Sequence, residues 1–140
     1  GVACTLGIDH GGKRIGLAVS DPGGKVALPA GTLESRGFER DLAAIRQIVE
    51  ERQVVRIVVG LPIHMDGRSG HQAEAARKFA ERIAGELGLP VDTMDERWTT
   101  REAERALRAT GRKGKKKRAV IDSVAAALLL RTYLEREAGE

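Results

Sequence analysis

The sequence predicts an α/β fold built on a five-stranded mixed sheet, in which three antiparallel strands are followed by two parallel strands and helices flank the sheet. Three observations support this prediction. Apolar runs separated by turn residues fill the first 32 positions, as in an antiparallel meander. A β-branched run at residues 54–61 is typical of a parallel strand that is buried on both faces. Helical periodicity before and after that run indicates crossover connections.

The first three strands are predicted by their apolar patterns and by the turns between them. Residues 2–9 form one apolar run, and residues 14–20 alternate between apolar and other side chains. The turn residues at 10–13 make this pair a hairpin. The turn sequence Asp-Pro-Gly-Gly at residues 21–24 then leads to a third short strand near residues 25–32.

Helices alternate with parallel strands in the middle of the chain. Apolar residues recur at helical spacing over residues 38–51 and predict the first helix, which the strand at 54–61 follows. A capping-box pattern of Ser69 and Gln72 predicts the start of a second helix, and Gly88 predicts its end.

The last third of the chain completes the predicted fold. A fifth strand is expected at residues 91–97, and a helix at 99–110 is expected to follow it. A basic loop and a final helix over residues 119–137 come last. Because 140 residues suit one ordinary domain with its own core, we expect a single domain spanning residues 1–140.

Composition narrows the class of protein. The single Cys4 excludes an internal disulfide and a multi-cysteine metal site, and we expect it to pack in the core. The sequence has neither a long apolar stretch nor a basic-then-apolar leader. These features predict a cytoplasmic protein with no membrane partner.

Positive charge is concentrated near the end of the chain. The net charge is +4, yet residues 105–118 contain eight basic residues and no acid. Such asymmetry indicates a polyanionic partner, most often nucleic acid, although a solvated loop would have the same composition. Because only 3% of the residues are aromatic, few bases could be stacked, and recognition by shape is the better expectation.

Acidic residues occur where predicted buried elements end. Asp9 closes the first strand, Asp95 and Glu96 close the fifth, and Asp122 borders an apolar helix face formed by Ile121, Val124, Ala125 and Leu128. Carboxylates at such positions are costly unless a cation compensates them. Because hard cations such as Mg²⁺ take oxygen ligands, these acids predict a divalent metal site suited to phosphate-ester cleavage.

The fifth strand offers two neighbouring candidates for one ligand position. Alternation places Asp95 and Glu96 on opposite faces of the strand. We favour Glu96, because its longer side chain suits a reach across about two strand spacings of 4.8 Å.

Each acid also has an ordinary structural interpretation. Asp9 could bond its own turn, and Asp122 could be a first-turn acid that the helix dipole favours. A salt bridge within residues 95–97 would likewise explain that segment. We favour the metal site because the fold order carries the first and fifth strand ends to one edge of the sheet.

Four segments in the right order resemble the YqgF/RuvX family of Holliday-junction-resolvase-like and pre-16S rRNA nucleases, which belongs to the RNase H-like superfamily. They are G-I-D-x-G-x-K-R-I-G-x-A at residues 7–18, G-L-P at 60–62 with D-G at 66–67, D-E-R-x-T at 95–99, and I-D-S-x-A-A at 121–126. The resemblance implies an RNase H-like fold with Asp9, Glu96 (or the neighbouring Asp95) and Asp122 at the metal site. Gly60 stands where superfamily relatives would place an acid, which leaves the second ligand open.

The resemblance and the residues together predict a metal-dependent nuclease that hydrolyses phosphodiester bonds in structured nucleic acid. Asp9 would bridge two Mg²⁺ or Mn²⁺ ions, which Glu96 and Asp122 complete. The expected contacts to the nucleic-acid backbone come from Lys13, Arg14, Arg97, Lys115, Lys116, Lys117 and Arg118.

Three functions fit these expectations. The favoured one is processing of the 5′ end of pre-16S rRNA during ribosome biogenesis. The first alternative is a Holliday junction resolvase that cuts branched DNA as a homodimer. The second alternative is a non-catalytic RNA-binding factor in ribosome assembly, in which the acids are structural.

Overall fold

The computed structural model describes residues 4–62, 70–95 and 114–138. Its strands are β1 (Cys4–His10), β2 (Arg14–Ser20), β3 (Ala27–Glu34), β4 (Val54–Leu61) and β5 (Val91–Asp95). Its helices are α1 (Phe38–Arg52), α2 (His71–Leu87) and α3 (Gly114–Ala138). Across these ranges, none of the helices combines the length and the apolar character that a bilayer crossing requires.

The five strands form one mixed sheet in the order β3-β2-β1-β4-β5. β1 pairs with β2, and β2 with β3, in antiparallel fashion, whereas β4 is parallel to both β1 and β5. The predicted five-stranded mixed sheet is therefore confirmed. β4 has the predicted bounds, and its central residues Ile57, Val58 and Val59 are fully buried, as expected for a strand covered on both faces.

Helices cover the two faces of the sheet separately. α1 and α2 pack on one face, against a core that includes Leu6, Ile8, Ile57 and Val59. α3 packs on the other face. The cluster under α3 contains Ala18, Val58, Met94, Ala126, Leu129, Leu130 and Tyr133. Because side chains alternate along a strand, each strand position belongs either to the α1–α2 face or to the α3 face.

Two predicted element boundaries are wrong by a few residues. β3 begins at Ala27 rather than near residue 25, because the side chain of Asp21 caps the backbone N–H groups of Lys25 and Val26 and extends the turn. α2 begins at His71 with Gly70 at the N-cap position and no side-chain cap, so the capping box assigned to Ser69 is wrong. The predicted helix at 99–110 lies outside the described residues.

From Gly114 onward, the chain before Asp122 is helical rather than a loop. α3 begins at Gly114, five residues before the predicted start, so Lys115, Lys116, Lys117 and Arg118 lie in its first turns. The physical reason is that lysine and arginine have high helix propensity, so a basic run extends a helix readily.

The buried stripe of α3 also differs from the predicted one. Its buried residues are Ser123, Ala125, Ala126, Leu129, Leu130 and Tyr133. Of the predicted face, Ala125 is therefore buried, while Ile121, Val124 and Leu128 are only half-buried. Residues 124–130 are apolar at every position, so periodicity alone cannot fix which side of the helix meets the sheet.

Cys4 is 8% exposed, which confirms the expectation that it packs in the core.

Candidate metal and phosphate site

Asp9 lies near the C-terminal end of β1, between two glycines. In the sheet register, Asp9 pairs with Gly16 of β2 on one side and with Gly60 of β4 on the other. Gly7 faces α3. Asp9 lies two residues further along β1 and therefore faces the same side of the sheet. The Asp9 side chain is half-buried, and neither paired neighbour places a side chain beside it.

Glycines allow the backbone of α3 to lie directly on β1 and β2. A Cβ atom added to Gly16 would lie 2.0 Å from the carbonyl oxygen of Asp122, and one added to Gly7 would lie 3.0 Å from the Leu130 Cβ. Asp122 therefore sits above the residue that pairs with Asp9. A glycine inside an apolar strand is a known sign of such a close backbone approach, so the sequence did carry this signal.

An ion pair joins Asp122 to β2. The Arg14 Nε donates a hydrogen bond to the Asp122 Oδ2 at 2.6 Å, and the two side chains are 29% and 19% exposed. Arg14 lies two residues before Gly16 and therefore points to the same, α3 face of the sheet. Sequence reasoning assigned Arg14 to phosphate and Asp122 to metal and missed this contact, because 108 positions separate the two residues.

Asp95 lies on the opposite face from Asp9. It pairs with Leu61, which packs in the α1–α2 core, whereas its neighbour Met94 pairs with Gly60 and packs under α3. The structure thus brings together Asp9 and Asp122 but not Asp95. Glu96, the other candidate on this strand, lies outside the described residues, as does Arg97.

The oxygen ligands near the C-terminal end of β1 suit a hard divalent cation. Asp9 and Asp122 offer carboxylate oxygens, the ligands that Mg²⁺ and Mn²⁺ prefer. Within residues 4–62, 70–95 and 114–138, no three His, Cys, Asp or Glu side chains form a group that could hold a metal ion. The two aspartates therefore fit part of such a site.

Basic residues surround the two aspartates. Lys13 is exposed in the turn between β1 and β2, next to the half-buried Arg14. Position 118, the last of the basic run, lies four residues before Asp122 in α3, which is about 6 Å along a helix. Part of the positive charge predicted from the sequence therefore lies in the turn and strand that follow Asp9, and part lies in the same helix as Asp122.

His10 points away from the aspartates. Its ring stacks on Phe79 of α2, with centroids 4.4 Å apart and an interplanar angle of 29°. Burial lowers the pKa of His10 below its usual 6.5, although the negative charge of Asp41 partly opposes this effect. His10 therefore lies on the α1–α2 face of the sheet, opposite to Asp9 and Asp122.

The buried imidazole of His10 makes stability depend on pH. Because the folded state lowers its pKa, the unfolded chain binds a proton first, and the unfolding free energy should fall as the pH drops through about 6.5. Urea denaturation at pH 7.5, 6.5 and 5.5 (roughly the span of an unperturbed imidazole) measures this slope. His10→Gln should reduce the slope, whereas His71→Gln, at an exposed position on α2, should leave it unchanged. Equal slopes in all three proteins would contradict this assignment.

Solved structures share this architecture. Thermus thermophilus RuvC in complex with a Holliday junction substrate matches 98% of this chain and 96% of its own, with a TM-score of 0.63 and 17% identity. Fowlpox virus resolvase, solved with Holliday junction DNA, matches 96% of this chain and 98% of its own, with a TM-score of 0.57 and 11% identity. These matches confirm the predicted RNase H-like fold.

Sequence relatives identify the family. One relative from Anaeromyxobacter dehalogenans, named "Putative pre-16S rRNA nuclease", is 46% identical over 96% of this chain and 98% of its own length. A relative of the same name from Moorella thermoacetica is 45% identical over 94% of each chain. The family model described as "RuvX: Holliday junction resolvase" matches residues 3–136. The resemblance seen in the sequence motifs is thereby confirmed, and the chain belongs to the RuvX family.

Proposed function

We propose that this chain is a divalent-metal-dependent nuclease that processes the 5′ end of the 16S rRNA precursor. Membership of the RuvX family makes it a hydrolase of phosphodiester bonds in nucleic acid. The observation that carries the metal-centred chemistry is the seating of α3 on Gly16, which sets Asp122 above the partner of Asp9. The names of the relatives support the precursor of 16S rRNA as substrate.

Asp9, Glu96 and Asp122 are the proposed metal ligands, and two Mg²⁺ or Mn²⁺ ions are the proposed cofactors. When bound, such ions stabilise the negative charge that develops on a phosphodiester during hydrolysis. Asp9 suits a shared ligand because β1 lies between β2, over which Asp122 sits, and β5 in the sheet.

The register of β5 supports Glu96 over Asp95 as the third ligand. Met94 belongs to the α3 face and Asp95 to the other face. Because Asp95 faces away from Asp9 and Asp122, its neighbour Glu96 is the better candidate for the third ligand. We therefore retain Glu96 in the proposed site, with Asp95 outside it.

Basic side chains supply the proposed grip on the nucleic-acid backbone. Lys13, Arg14, Arg97 and the Lys115, Lys116, Lys117 and Arg118 run are the proposed phosphate contacts. Contacts of this kind make binding strongly dependent on salt and nearly independent of base sequence. Recognition would then depend on the shape of the RNA, which suits a chain with a single Trp and a single Tyr.

A branched-DNA substrate is the second candidate. The description of the family as a Holliday junction resolvase favours it. Cutting a four-way junction symmetrically requires two active sites, so this function would also require a homodimer.

A paired-substrate assay tests the proposed function. We expect cleavage of a transcript containing the 5′ leader of 16S rRNA at least about tenfold faster than cleavage of a four-way DNA junction. Mn²⁺ or Mg²⁺ should be required, and EDTA should stop the reaction. Mature 16S 5′-domain RNA and a linear DNA duplex serve as matched controls.

Other outcomes assign the chain to the alternatives. Metal-dependent cleavage of the junction alone, by a dimer, would establish the resolvase. RNA binding without cleavage under any metal condition would establish the non-catalytic assembly factor and overturn the nuclease.

A further inference from the structure

The ion pair between Arg14 and Asp122 uses only part of the guanidinium group. Arg14 binds the Asp122 Oδ2 through Nε, and neither of its two Nη atoms has a hydrogen-bond partner within the described parts of the chain. A guanidinium carries five N–H donors in one plane, so four remain after the Nε bond. The Arg14 side chain is 29% exposed, so the ion pair does not seal it off from a ligand.

We propose that Asp122 anchors Arg14 as a preoriented clamp for a phosphate of the nucleic-acid backbone. Asp122 then has a task in substrate binding that is separate from its proposed task as a metal ligand. This inference rests on the proposed function, because it takes nucleic acid as the substrate, but it needs no metal ion.

The backbone is held in place at both residues of the ion pair, Arg14 and Asp122. Arg14 begins β2, where it pairs with Glu34 of the neighbouring strand. The backbone of Asp122 is fixed on the sheet by its contact with Gly16, two residues along β2. A guanidinium held in this way loses little further conformational freedom when it binds a phosphate, which is the benefit of preorganisation.

The planar geometry of arginine suits this role. A guanidinium can bond one group through Nε and present its Nη donors to the paired oxygens of a phosphate. Lysine carries the same charge as a single ammonium without this fork, so it cannot bridge the carboxylate and the phosphate in the same way.

The proposed clamp predicts that removing Asp122 changes RNA affinity in the direction opposite to the one expected from charge alone. Removing an acid next to a polyanion ordinarily strengthens binding, because one repulsive charge is lost. If Asp122 orients Arg14, its removal should instead weaken binding, since the clamp loses its anchor. This opposite sign makes the idea testable.

Equilibrium binding in EDTA separates the clamp from catalysis. The probe is the fluorescent 16S leader transcript, and the dissociation constant is measured by anisotropy at several salt concentrations. We expect Arg14→Ala and Asp122→Ala each to weaken binding by about tenfold and to reduce the salt slope by about one. The double variant should bind no more than about twofold more weakly than Arg14→Ala, because the two residues act as one unit.

Conservative substitutions separate charge from orientation. Arg14→Lys should remain about as weak as Arg14→Ala, because the ammonium lacks the fork. Asp122→Asn should recover binding to within about threefold of wild type, because its amide oxygen still accepts the Nε bond.

The pair formed by Glu74 and Arg77 on the exposed surface of α2 is the matched control. Because α2 covers the other face of the sheet, Glu74→Ala should leave RNA binding unchanged or slightly stronger. Arg77→Ala should weaken it by less than about threefold. Thermal melting of each variant verifies that the fold is retained.

Binding by Asp122→Ala that equals or exceeds wild type would overturn the clamp. So would an Arg14→Ala effect no larger than that of Arg77→Ala. Neither result bears on the nuclease itself, because cleavage with Mn²⁺ is scored separately from binding in EDTA.

Discussion

Replacing Asp9 or Asp122 by Asn should reduce metal-dependent cleavage by about 10²- to 10³-fold, the usual cost of losing one charge-stabilising group in an active site. Asn keeps the size of the side chain and one oxygen but removes the negative charge that attracts a divalent ion. Asp9 lies near the C-terminal end of β1, Asp122 lies in α3 above Gly16, and both side chains are only half-buried. The folded structure should therefore survive both substitutions while the chemistry does not.

Initial rates on the preferred substrate, together with Mn²⁺ binding followed by calorimetry, measure this effect. The control is Asp92→Asn, which changes an acid on the same face at the other end of the sheet, where Asp92 accepts a hydrogen bond from Tyr133. That variant should stay within about twofold of the wild-type rate, because its site is remote from Asp9. Wild-type rates in both site variants would remove the proposed metal centre.

Gly16→Ala should lower the unfolding free energy by about 2–3 kcal/mol, as overpacking a close contact does. The added Cβ would lie 2.0 Å from the carbonyl oxygen of Asp122, a distance that no packed structure tolerates. Either α3 must shift away from the sheet or β2 must bend. Both movements displace Asp122 relative to Asp9, so cleavage should fall as well.

Urea denaturation and initial rates measure the two consequences. Gly12→Ala is the matched control, because a Cβ at Gly12 would meet nothing within 4 Å. It should change the unfolding free energy by less than about 0.5 kcal/mol, as exposed positions do. A Gly16→Ala protein with the stability and activity of wild type would show that α3 does not rest on this glycine.

The sheet could be predicted from the sequence more closely than the last helix. β4 has the predicted bounds because its β-branched run is bounded by polar residues before it and by Pro62 after it. α3 could not be placed as well, since its lysines suit both a loop and a helix and its uniformly apolar segment has no unique buried side. The local sequence pattern determines the bounds of β4, whereas packing against the sheet determines which side of α3 is buried.

The sequence suggests candidate residues for the site but not the contacts that they make. The position of Asp9 at a strand end and the four family-like motifs identified Asp9 and Asp122 individually. The bond between Arg14 and Asp122 depends on which face of the sheet α3 covers, and nothing local to either residue encodes that choice. The position of Asp95 on the face away from Asp9 likewise depends on register, which the pairing of Met94 with Gly60 gives.

Asp122 lies in α3, so it is synthesised later than Asp9 and the strands of the sheet. Translation runs from the N-terminus, so every strand of the described sheet emerges from the ribosome before this helix. A nascent polypeptide that has released Asp9 still lacks Asp122 and, under the proposed chemistry, is inert. Under that chemistry, hydrolytic competence arrives only after α3 has docked on a sheet whose strands were all synthesised earlier.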